Sequence, residues 1–117
     1  MWRNKMSTKL KDLLLNEETE RRVSLVGLES LLPELSQKLS ESEQKKIAEV
    51  FVELQMLATS LNETPYTIFN HDHWKLLKMV LAGKVAELRL VLEDIAEDNK
   101  EVDFFPVMKL VDSILTY

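Results

Sequence analysis

The run from His71 to Asp98 carries two apolar seams. Trp74, Leu77, Leu81, Val85, Leu88, Leu92 and Ile95 recur at spacings of three and four. Leu76, Met79, Gly83, Ala86 and Leu90 do the same on roughly the opposite side. At 3.6 residues per turn, each set falls along one face of a helix. A helix packed against a single core needs only one such face. Two faces imply a sandwiched helix, held either centrally in its own fold or between that fold and another chain. Both seams continue in phase through Gly83, which predicts one helix over 71–98, weakened there by about 1 kcal/mol relative to alanine.

The same reading places the other elements. Ser40 and Glu43 form a Ser-x-x-Glu capping box ahead of a stripe of Ile47, Val50, Phe51, Leu54, Leu57, Ala58 and Leu61, with Asn62 as a stop. Upstream, Ser7 or Thr8 caps a short helix carrying Leu10, Leu13 and Leu14. Asn16, followed by Glu17, Glu18 and Glu20, opens another helix with Leu25, Leu28, Leu31, Leu32 and Leu35 on its stripe and Val23 and Val26 off it. Pro33 predicts a break near Leu32 and a stub running to Leu39. Thr67 or Asn70 caps the two-seamed segment. Beyond the polar connection at Glu97–Glu101, Pro106 sits in the first turn of a last helix bearing Val107, Met108, Leu110, Val111, Ile114 and Leu115. The expected architecture is one all-α domain over 1–117, with residues 1–6 as a disordered tail. It is an irregular bundle of five or six helices around a long central helix, residues 71–98.

Composition narrows the chemistry. A chain of 117 residues suffices for one core. With no cysteine it has no disulfide, thiolate zinc site or cysteine nucleophile. Two glycines and three prolines fit long helices with few tight turns. The net charge of −5 repels nucleic acid and anionic membranes from the chain as a whole, despite the basic start at Arg3, Lys5, Lys9 and Lys11. The apolar run Leu13–Leu15 falls short of the roughly 7 residues of a signal segment and the roughly 18 of a membrane span. A cytoplasmic protein is therefore expected, with no membrane partner.

Candidate chemistry is sparse. His71 and His73 stand at i and i+2, about 160° apart on a helix, and cannot share one ion there. No Gly-rich phosphate loop, nucleophile elbow or HExxH occurs, and the acids Glu93, Asp94, Glu97 and Asp98 read as a solvated face. No catalytic residue, metal ligand or cofactor is expected, and the chain reads as no enzyme.

Two interaction readings remain. Gly83 and Ala86 let another helix approach the second seam closely, while Leu76, Met79 and Leu90 supply apolar area worth a few kcal/mol at about 25 cal/mol per Å². That seam makes the chain a helical interaction module (an adaptor, inhibitor or small assembly subunit) whose partner is another protein or a second copy. Alternatively, the stretch Leu57–Ile68 resembles the turn of a helix-turn-helix motif. Leu57, Ala58, Leu61 and Ile68 take its apolar or small positions, and Asn62 takes the place of its positive-φ glycine. That resemblance implies a DNA-binding regulator using residues 57–75, with Thr67, Asn70, His71, His73, Lys75 and Lys78 touching bases or phosphates. The acidic balance of the chain places it second.

Overall fold

The computed structural model describes residues 23–64, 67 and 69–114. Among these, four helices and no strand occur: α1 (Val26–Ser36), α2 (Glu41–Glu63), α3 (His71–Asp98) and α4 (Phe105–Ile114). The all-α expectation holds, but among the described residues the helices number four rather than five or six. The short helix expected after Ser7 or Thr8, and the start expected at Asn16, lie outside the described residues.

Helix α2 begins where the capping box predicts. Ser40 Oγ accepts from the Glu43 N–H at 3.3 Å, and Glu43 Oε1 accepts from the Ser40 N–H at 3.1 Å. The other carboxylate oxygen of Glu43 accepts from Asn99 Nδ2 at 2.8 Å, tying the start of α2 to the end of α3. The Ser40 N–H, then the Asn99 amide and the Ser40 hydroxyl, hold this carboxyl below its ordinary value of 4.5. A carboxyl depressed by folding stabilises the fold above its unfolded value, and that contribution fades as pH falls through the folded value. Glu43→Gln should therefore flatten the acid limb of thermal stability below about pH 4.5. Parallel acid limbs for the variant and the native chain would refute this role.

Helix α3 runs unbroken through Gly83. It lies antiparallel to α2, because Glu43 meets Asn99 at one end while Glu53 pairs with Lys84 further along. Glu53, then Glu87, keep the Lys84 ammonium above its ordinary range. Thr67 Oγ1 accepts from the N–H groups of Phe69 and Asn70 at 3.2 Å, closing the turn before α3.

Helix α1 departs from expectation. No break occurs at Leu32, since the helix passes through Pro33 to Ser36. The proline ring is exposed, while Leu28, Leu32 and Leu35 stay buried together on the opposite side. A break would rotate Leu35 away from the other two, and burial of that stripe offsets the hydrogen bond lost at Pro33. Residues 23–25 are not helical and precede α1, so Leu25, expected on the stripe of this helix, lies just before it. Val23, expected off the stripe, is buried.

Its backbone is gripped by a side chain distant in sequence. The Val23 N–H donates to Asn62 Oδ1, and Asn62 Nδ2 donates to the Val23 carbonyl, both at 2.8 Å. The start of α1 therefore sits beside the end of α2. At Gly27 an added Cβ would meet the Leu110 methyl groups at 3.0 Å, so glycine permits the close approach of α4.

Helices α1 and α4 form one layer and the α2–α3 hairpin the other. Between them lie Leu28, Leu32, Leu54, Leu61, Val85, Leu88, Leu92 and Val111. Arg89 fastens α3 to α4 by pairing with Asp112, while its Nε also reaches Glu93 at 2.9 Å. The molecule extends 63 × 21 × 17 Å, and its shortest dimension accommodates only two layers of helix.

Candidate interaction surface

The first seam of α3 is the core seam. Trp74, Leu81, Val85, Leu88, Leu92 and Ile95 are buried, and Leu77 is half-buried. The second seam faces outward. Leu76 is 59% exposed, Met79 70% and Leu90 61%, with Gly83 and Ala86 exposed between them. The two-layer build explains this. Helices α2 and α4 flank α3, and α1 packs on α4, so no described element lies over its back.

Two residues enlarge the strip beyond the sequence reading. Val80 falls between the two seams by helical phase and is 46% exposed. Met56, exposed on α2, lies one turn along from Glu53, as Val80 lies one turn along from Lys84. The Glu53–Lys84 pair therefore sets Met56 and Val80 on adjoining helices. The usable signal for Val80 was an apolar residue that neither stripe explained. Exposed apolar side chains gathered along one helix face are of the kind found at interaction sites.

Gly83 has open space around it, with nothing within 4 Å of an added Cβ. Gly83→Ala should raise the stability of the isolated chain by about 1 kcal/mol through helix propensity. A loss of stability in urea titration of the monomeric chain would show that another segment of the same chain covers the position.

The residues of the alternative reading are spread differently. Asn62 is inside α2, and no described non-glycine residue has positive φ, so the left-handed turn expected at Asn62 is absent. Pro65, Tyr66 and Ile68 of that stretch lie outside the described residues. Helices α2 and α3 pack antiparallel along their lengths, unlike the steeply crossed pair of a helix-turn-helix. Thr67, Asn70 and His71 are half-buried, and Thr67 is engaged in the turn. His73, Lys75 and Lys78 are exposed, and Lys78 lies over the Trp74 ring at 5.2 Å.

Compared with family models, curated proteins and solved structures, the chain matches none. The reading of this surface rests on its geometry. Among the described residues no cluster of His, Asp or Glu is arranged to hold a metal, and no helix is long and apolar enough to cross a membrane. A groove of about 430 Å³ opens between the start of α2 and the end of α3, lined in part by Ser40, Glu43, Lys46, Asp94 and Asn99. Its central carboxylate is already committed to the Ser40 cap and to Asn99.

Proposed function

We propose that this chain is a non-enzymatic helical interaction module that presents the outer face of α3 to a protein partner. One observation carries the reading: Leu76, Met79, Val80 and Leu90 stand exposed along a helix whose opposite face is packed in the core. Burial of such a strip drives association, while the charges around it set orientation more than affinity. Gly83 and Ala86 in its centre admit a second helix at short range. Among the described residues, Ser40, Glu43, Asn62 and Asn99 are engaged in caps and clasps, and the apolar face of α3 is the feature that supports a binding role.

The test compares the native chain with Leu90→Glu as bait in extracts of the source cells, with and without nuclease. A protein retained by the native chain, insensitive to nuclease and lost from Leu90→Glu, is the expected result. Equal retention by both baits overturns the proposal. Recovery that depends on nucleic acid would instead favour the DNA-binding reading. Because Leu90 is exposed, the variant should keep its helical circular dichroism and unfolding midpoint.

A further inference from the structure

Resting on that reading of the α3 face, we infer that its partner is a second copy of this chain, lying antiparallel across Gly83. Four residues of the strip are placed symmetrically about that glycine, while Met79 mirrors Glu87, whose carboxylate is drawn to Lys84. Leu76 and Leu90 lie seven residues before and after it, and Val80 and Ala86 lie three before and after. A two-fold axis at Gly83 sets Leu76 against the partner's Leu90 and Val80 against the partner's Ala86, each pair formed twice. Such self-complementarity is what an isologous two-fold interface requires, and the two-fold dimer is the commonest closed assembly. Gly83 then meets the partner's Gly83 on the axis. The open space around its Cα admits the second backbone at the one point where the helices must cross closely.

Charge selects the same orientation. The stretch from His71 to Lys78 holds one acid, Asp72, with Lys75 and Lys78. The stretch from Glu93 to Asp98 holds four acids and no base. An antiparallel pair brings the lysine-bearing end against the acidic end twice over, with Asp72 against the partner's Asp94 as its like-charged contact, and it opposes the helix dipoles favourably. A parallel pair would stack the acidic ends on each other. Helical phase places Lys75 and Glu93 on the same flank of the strip, so Lys75 reaches the partner's Glu93, which Arg89 also touches within its own chain.

The absence of cysteine makes the geometry directly testable in the full chain. In sedimentation over a concentration series, the native chain should approach twice its 13.6 kDa mass, and Leu76→Glu/Leu90→Glu should stay at 13.6 kDa. Under oxidation, Gly83→Cys should link to itself. Leu76→Cys should link only when mixed with Leu90→Cys chains. Two copies of residue 76 would lie about 21 Å apart at 1.5 Å per residue, whereas a disulfide needs Cα atoms within about 7 Å. A native mass of 13.6 kDa at every concentration, or Leu76→Cys linking efficiently to itself, overturns the inference. If the chain is monomeric yet captures a protein in a Leu90-dependent way, the second-copy inference fails while the interaction reading stands. If neither association appears, both fail.

Discussion

Leu88→Ala is expected to lower the unfolding free energy by about 2–5 kcal/mol. Leu88 is 0% exposed, on the face of α3 that meets the core, with Val85 and Leu92 fully buried one turn on either side. Truncation removes the transfer free energy of three heavy atoms and leaves a void that helices held by their own hydrogen bonds close only in part. For a domain this small, that is a large share of total stability. Leu90→Ala, two residues further on, supplies the contrast. In the single chain its side chain is mostly in solvent, so at concentrations too low for self-association the change should stay within about 0.5 kcal/mol. Urea titration of both variants separates the seams. Equal losses would mean that the outer face belongs to the core.

Asn62→Ala should cost about 2 kcal/mol, a large effect for a residue whose surroundings are partly open. The substitution deletes both hydrogen bonds to Val23 and leaves the N–H and carbonyl of a buried residue unsatisfied. The damage should appear first where α1 begins, as faster hydrogen exchange at Val23 and through the first turn of the helix. Asn62→Asp sharpens the point. It keeps an acceptor for the Val23 N–H but turns an oxygen towards the Val23 carbonyl, so it should rescue little. Unchanged exchange in both variants would show that the start of α1 is held by apolar burial alone.

Much of the fold was legible because α2 and the inner face of α3 obey the 3.6-residue period without interruption. Ile47, Val50, Leu54, Ala58 and Leu61 are buried together, as one stripe of a helix must be. The Ser40–Glu43 box is local in sequence, and local chemistry is what a sequence displays best. The exceptions are contacts that pattern does not contain. Pro33 argued locally for a break, and tertiary burial of Leu28, Leu32 and Leu35 overrode it. Asn62 reads equally well as a helix stop or a turn residue, yet its amide is used 39 residues away. The second seam of α3 was visible as a face, but periodicity names the face and never the neighbour. Only the two-layer arrangement shows that no described helix covers Leu76, Met79 and Leu90.

The division of α3 into an inner and an outer face has a consequence for how such a chain can change. Residues on opposite sides of one helix share few neighbours, and substitutions without shared partners act nearly additively. Leu88 and Leu92 on one side, and Leu76 and Leu90 on the other, are therefore separately adjustable. Leu76, Val80 and Leu90 can be substituted with little effect on the packing of the inner face. The outer face of α3 can thus drift residue by residue without passing through an unfolded ancestor.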